Sequence, residues 1–233
     1  MLRYLIVNGG SGSSNYIVSF LLCLPVMFLS LSLHETAHGF AAYKLGDPTA
    51  KNLGRLTLNP FKHLDPIGFL CMMLAGFGWA KPVPINSRNF KKPRRDIAIS
   101  SIAGPVSNLL LAFVFAIAYR IVDEPLSRIV YTADTISGGA AGRLAMYTLS
   151  LIFLAIRLNI NLAVFNLLPI PPLDGSKILY MFLPPKVYFK IAPYERYISI
   201  GFMLLLVTGV IYPVIEIVSG YIATFMFKLV GLI

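Results

Sequence analysis

The sequence predicts an all-α polytopic membrane protein with four to six transmembrane helices, and a re-entrant element or short β-hairpin after the first motif-bearing helix. Three observations lead there. Hydrophobic residues make up 57% of the chain and charged residues 13%, against about 45–50% and about 25% in soluble domains; mean hydropathy is +0.74. Several apolar runs reach the roughly 20 residues that a spanning helix needs. The remaining charge is uneven: Lys44–Arg95 holds ten Lys and Arg, Lys177–Arg196 holds four, and Asp123–Gly142 holds only Arg128.

Basic loops stay in the cytoplasm. The two basic groups follow the first and third spans, so those spans are expected to end in the cytoplasm, with the N-terminus outside. The net charge of +10 is this same bias. No basic surface interleaved with aromatics and no nucleic-acid motif accompanies it, so nucleic acid is not an expected partner. The lipid bilayer is.

Taken in order, Met1–Asn15 is a lead-in with a Gly/Ser-rich stretch, "GGSGSS". Tyr16 to about Leu45 reads as one long helix, too long for a cleaved signal peptide. Gly46–Gly68 is rich in Pro, Gly and Asn and cannot be one helix; within it "RLTLN" alternates weakly, as a short strand would. "FLCMMLAGFGWA", Phe69–Ala80, is apolar but too short to span, and fits a re-entrant or interfacial element. Trp79 beside Lys81 suits the membrane interface. Lys81–Asp96 is a basic loop.

Ile97–Val122 reads as a second span. "AGPVSN" near its start suits close helix packing, with Asn108 able to hydrogen-bond to another helix. Asp123–Gly142 reads as a loop, and Arg143 to about Leu168 as a third span ended by the prolines of "NLLPIPPLDG". "GSKILYMFL" is a short amphipathic helix. Ile198–Val218 reads as a fourth span, and Tyr221–Ile233 as a partial fifth or as one span joined to the residues before it. Residues 1–233 are expected to form one membrane-embedded domain: the lead-in 1–15, a core 16–183, and C-terminal loop and helices 184–233. Cys23 and Cys71 lie in apolar segments without metal-binding spacing and read as free thiols.

The first helix carries "HETAH". Ionisable residues are costly inside a bilayer and usually mark function there. Residues four apart share a helical face, so His34 and His38 can hold one metal ion. Glu35, beside the first imidazole, can reach a metal-bound water without ligating the metal. Two imidazoles on zinc and a glutamate as general base are the chemistry of the H-E-x-x-H pattern. The bland reading is a polar patch at the helix end. A catalytic zinc usually has three protein ligands. For the third, His63 lies in a polar loop and reads as a surface or interfacial residue. Asp174 follows a proline-broken helix and is better placed. By spacing alone it is equally an N-cap for the helix after it. Arg157 and Glu216 lie in later spans and can pair across helices.

"HETAH" together with "NLLPIPPLDG" resembles the site-2 protease family of intramembrane zinc metalloproteases. "LNPFKHLDPIG", "GWAKPVPIN" and "AGPVSN" resemble that family's intervening segments, and the likeness runs from about Ser32 to Leu183. It implies a zinc metalloendopeptidase, with one Zn2+ held by His34, His38 and Asp174, Glu35 as catalytic acid/base, and Asn166 near the substrate carbonyl. The core 16–183 is then catalytic. The resemblance further implies a multi-pass cell-membrane enzyme with its active site toward the cytoplasm, cutting transmembrane proteins. No PDZ or CBS domain is visible, so a minimal form is expected. The rivals are a membrane zinc or cation transporter, and an inactive scaffold that retains the motif. One metal site without duplicated halves argues against transport.

Overall fold

The computed structural model describes residues 13–75, 78–136 and 140–233, and the side chains among these other than 13–20, 72–75 and 131–136. It is helical nearly throughout. Helix α1 spans Ser13–Lys44, α2 Thr49–Asn52 and α3 Pro66–Ala75. Helix α4 spans Pro93–Ile136, α5 Ala140–Asn166 and α6 Asp174–Phe182. Helices α7 (Pro185–Ile191), α8 (Glu195–Thr208) and α9 (Tyr212–Val230) complete the chain. Among the described residues, four stretches are long and apolar enough to cross a membrane: Leu21–Lys44, Pro93–Val130, Ala140–Asn166 and Tyr212–Val230.

The spans are joined by small and aliphatic residues. Ala112 and Ala116 of α4 meet Ile156, Ile160 and Val164 of α5 and Ile215, Ala223 and Met226 of α9. Alanines let the helix backbones approach closely, which drives helix association where lipid is as apolar as the interface. Cys23 and Met27 of α1 pack on Leu158 of α5. Leu173, between α5 and α6, is buried against Phe202 and Leu206 of α8. Both cysteines are free thiols, Cys23 buried and Cys71 partly so. Arg157 of α5 forms an ion pair with Glu216 of α9, so two costly intramembrane charges offset each other across helices.

Three sequence expectations need correction. The stretch expected as a loop, Asp123–Gly142, is largely helical: α4 runs to Ile136 and α5 begins at Ala140, with 137–139 outside the described residues. The polar residues that end the apolar run do not end the helix. Arg128 pairs with Glu124 one turn back, and Ser127 bonds Asp123, which supports a helix beyond the hydrocarbon. Ile198–Val218 is not one span either. Helix α8 stops at Thr208, where Gly209 adopts φ 79°, and Pro213 opens α9. The C-terminal span therefore joins Tyr221–Val230 to the residues before it.

Third, "RLTLN" is irregular, and the described residues contain no strand, only one antiparallel bridge between Leu64 and Ala80. Of the apolar run that follows, Phe69–Ala75 lies in the ten-residue α3, and 76–77 fall outside the described residues. At about 1.5 Å per residue α3 is far too short to cross a bilayer.

Candidate metal centre

The "HETAH" segment lies in the last turns of α1, and the helical repeat puts both imidazoles on the side facing α4. Their rings stand edge to face, centroids 4.5 Å apart. Gly104 of α4 lies directly against them. A β-carbon there would come within 2.4 Å of His38 Nε2 and 2.7 Å of His34 Cε1, so any side chain at 104 would displace the rings.

Asp174 comes from a distant part of the chain, 140 positions beyond His34. Helix α5 ends at Asn166, and the proline-rich turn that follows leads into α6, whose first residue is Asp174. Gly175 allows that return: a β-carbon on it would lie 2.2 Å from Leu167 O. Leu173, not Asp174, occupies the position before the helix and makes no side-chain cap. The carboxylate instead faces the histidines. Asp174 Oδ2 lies 3.2 Å from His34 Nε2 and 3.0 Å from His38 Nε2, and the two Nε2 atoms are 3.0 Å apart. All three residues are buried.

The hydrogen bonds behind the rings assign their tautomers. His38 Nδ1 lies 2.7 Å from Ser100 O, a carbonyl that only accepts. His34 Nδ1 lies 2.5 Å from Asn108 Oδ1. The amide orientation of Asn108 follows from its other end, where Nδ2 donates to Asn159 Oδ1 at 2.9 Å and to Ser30 O at 3.3 Å. Asn159 Nδ2 in turn donates to Ala155 O. Both Nδ1 atoms therefore carry hydrogen, and in their neutral form the rings turn Nε2 lone pairs toward Asp174 Oδ2.

In that form three acceptors converge with no donor between them. A proton could satisfy one pair of these atoms; a metal cation satisfies all three. Zinc bonds of about 2.0–2.2 Å in a tetrahedron need ligand atoms roughly 3.3–3.6 Å apart, a little wider than the 3.0–3.2 Å here. Among the described residues, His34, His38 and Asp174 are the His/Cys/Asp/Glu group with ligand atoms within 4.8 Å of one another. They fit one ion, with the outer nitrogens held as metal-binding imidazoles usually are. Lys177 Nζ donates to the remaining oxygen, Asp174 Oδ1, at 3.0 Å.

The other expected site residues have hydrogen-bond partners of their own. Glu35 Oε2 accepts a hydrogen bond from Val83 N at 2.9 Å. Asn166, the last residue of α5, donates from Nδ2 to Leu162 O. His63 is not at the surface: it is 2% exposed, with Nε2 bonded to Thr57 O, and it does not join the metal group.

The segment that carries Val83 is fastened by residues that sequence reasoning passed over. Asp47 accepts from Asn86 N and Asn89 Nδ2, each at 2.7 Å, and from Thr49. Arg55 donates to Lys81 O. Burial pushes the Asp47 carboxyl up, but these hydrogen bonds outweigh it and hold it below the ordinary carboxylate range. Asn159 and Gly104 were also passed over, and Asn108 was read mainly as packing. The signal for Asn159 was present: an amide in an apolar span seeks a partner on another helix.

Comparison with known proteins bears directly on this centre. The model of peptidase family M50 matches residues 22–208, a stretch that includes all three converging side chains. The chain belongs to peptidase family M50. It is 44% identical over 182 residues to the Bacillus subtilis protein named "Putative zinc metalloprotease YwhC", covering 78% of each chain. It is 31% identical over 193 residues to Rip2 of Mycobacterium tuberculosis H37Rv, covering 80% of this chain and 66% of Rip2. With Rip2 of Mycolicibacterium smegmatis the figures are 29% over 198 residues, 83% and 68%. Both Rip2 proteins carry the same zinc metalloprotease name. No solved structure matches. This M50 chain is a multi-pass membrane protein and a metalloprotease, and its family implies zinc.

Proposed function

We propose that this M50 protease hydrolyses peptide bonds within or beside the transmembrane helices of other membrane proteins. It uses a single zinc ion held by His34, His38 and Asp174, on the cytoplasmic side of the membrane. The observation that carries the proposal is the closed triangle of three buried acceptors, 3.0–3.2 Å on a side, between helices apolar enough to span a bilayer.

Bound zinc would supply a Lewis acid and bring the acidity of a water molecule to about pH 7. The chain's own residues do the rest. Glu35 is held through Oε2 by Val83 N; it takes a proton from water and passes one to the departing amide nitrogen. Asn166 commits one Nδ2 hydrogen to Leu162 O; the second is a donor for the substrate carbonyl oxygen, where charge develops. Ser100 O and Asn108 Oδ1 keep the Nε2 lone pairs directed inward. A helical peptide bond is shielded by its own hydrogen bonds, so the substrate unwinds locally. The Gly46–Ile85 segment beside Glu35 is the surface along which an extended strand is held. The cytoplasmic placement rests on the ten Lys and Arg of Lys44–Arg95.

The test compares purified wild type, Glu35→Gln and Asp174→Asn for bound zinc and for cleavage of a panel of single-span membrane proteins. Glu35→Gln should keep zinc and lose cleavage; Asp174→Asn should lose zinc. Cleavage by Glu35→Gln removes the proposed proton carrier. Zinc content unchanged in Asp174→Asn removes the third ligand. Zinc transport into vesicles by Glu35→Gln, with no cleavage by wild type, replaces the reading with a transporter.

A further inference from the structure

A second concave site adjoins the metal centre and has no part in the proposed hydrolysis. It is a cavity of about 680 Å³ bounded by the start of α4, the turn before α6, and helices α6, α7 and α8. Its size is that of a small-molecule site. Three cations from three helices line it: Arg94, Lys177 and Arg196, against one carboxylate, Glu195. Ile97 and Met181 give it apolar wall. The Tyr180 hydroxyl, also in the lining, is buried beside Glu195. Burial first, then the charge of Glu195 and a hydrogen bond with it, push the phenol up to about 12, so the hydroxyl keeps its proton.

The surroundings indicate the depth at which this cavity opens. α4 starts and α5 ends on this side, so the cavity lies at the end of the spans. Around it Phe182, Phe189, Tyr194 and Tyr197 are each at least 60% exposed. Exposed rings clustered at the ends of spanning helices are the pattern of the membrane–water interface. Lys186 and Lys190 on α7 are exposed as well, at the spacing that puts both on one face. The stretch from the end of α6 through α7 to the start of α8 thus carries the exposed rings and lysines of a segment that suits the headgroup layer.

We propose that the cavity binds the phosphate headgroup of an anionic phospholipid, with Arg94 and Arg196 as its charge partners and Tyr180 as a neutral donor. Basic pockets between helices at this depth suit such headgroups, and arginine forks match phosphate oxygens. The apolar wall receives the glycerol end, continuous with the bilayer, which a purely ionic site would not need. Lys177 lies between the two sites: it lines this cavity and donates to Asp174 Oδ1. Lipid binding is thus adjacent to the metal centre but distinct from it, and it stands whether or not the protein cleaves a substrate.

The experiment uses the whole protein in nanodiscs of phosphatidylcholine with phosphatidylglycerol, and counts lipids retained after release by native mass spectrometry. Wild type should retain phosphatidylglycerol over phosphatidylcholine. Arg94→Gln/Arg196→Gln should lose about thirtyfold in that preference, the effect of two basic contacts at a charged membrane surface. Lys62→Gln/Lys91→Gln, the same charge change at exposed positions outside the cavity lining, should keep it. If the double variant does not fold, Arg196→Gln alone, at an exposed residue, should show about a fivefold loss. Equal retention by wild type and the cavity variants overturns the proposal. Displacement of the lipid by millimolar glycerol 3-phosphate makes the site one for soluble phosphate and overturns it too, as does displacement by an acidic peptide.

Discussion

His34 Nδ1 and Asn108 Oδ1 lie 2.5 Å apart across the α1–α4 interface, and the far side of the Asn108 amide is held by Asn159 of α5. Three spanning helices thus set the orientation of one imidazole. Asn108 and Asn159 are fully buried, where an amide must satisfy its donors and acceptors internally.

Asn108→Leu should therefore weaken zinc binding about 10–100-fold, the usual cost of losing a partner behind a ligating histidine. Competition against a calibrated chelator measures it. Asn159→Leu should act in the same direction with a smaller loss, because Asn108 keeps its bond to Ser30 O. Wild-type zinc affinity in Asn108→Leu would show that the tautomer of His34 is set elsewhere.

Gly104 is a steric prediction. An alanine methyl would sit 2.4 Å from His38 Nε2, and a crowded core typically loses about 1–3 kcal/mol. Gly104→Ala should lower both thermal stability and zinc occupancy. Full occupancy with an unchanged Tm would mean that α4 can shift without cost.

Removal of the metal should be destabilising in itself. His34 Nε2, His38 Nε2 and Asp174 Oδ2 turn toward one another at 3.0–3.2 Å, and a bound ion stabilises the native state by mass action. Chelation should lower the Tm of wild type, and added zinc should restore it. Asp174→Asn places an amide donor among the lone pairs, so its Tm should respond little to chelation. An equal response in both proteins would count against the triangle as the metal site.

Asp47 makes the prediction about pH. Its hydrogen bonds from Asn86, Asn89 and Thr49 hold the folded carboxyl below its ordinary value. Such a group contributes stability above the unfolded value, about 3.9 for Asp, and loses it as pH falls through the lower folded value. The protection factors of amides across 81–90, with the intrinsic pH dependence of exchange removed, should thus be flat around neutrality and fall at acid pH, below roughly 4. In Asp47→Asn protection should be lower at neutral pH and should change little with acid. A wild-type acid profile in that variant would exclude Asp47 as the anchor.

Legibility in the sequence differed from element to element. The "HETAH" face was legible because it depends on a four-residue spacing within one helix. The end of α5 was legible from Pro169, Pro171 and Pro172, which cannot continue a helix. The continuation of α4 to Ile136 was not. Hydropathy reports where the apolar run ends, whereas the helix persists on pairs such as Glu124 and Arg128. His63 misled for a related reason: a histidine in a polar loop looks exposed, and only the packing of that loop on α1 buries it.

By itself the sequence determined that the chain lives in a bilayer, that His34 and His38 share a face, and that Asp174 follows a broken helix. Each of these is a local property, written in hydropathy, a four-residue spacing and prolines. Only the tertiary structure decided that Asp174 turns toward the imidazoles rather than capping α6, and that Asn108 and Ser100 hold their outer nitrogens. Those contacts join residues 62 to 140 positions apart; they form because glycine and alanine let α1, α4 and α5 approach closely, and no local pattern encodes that distance.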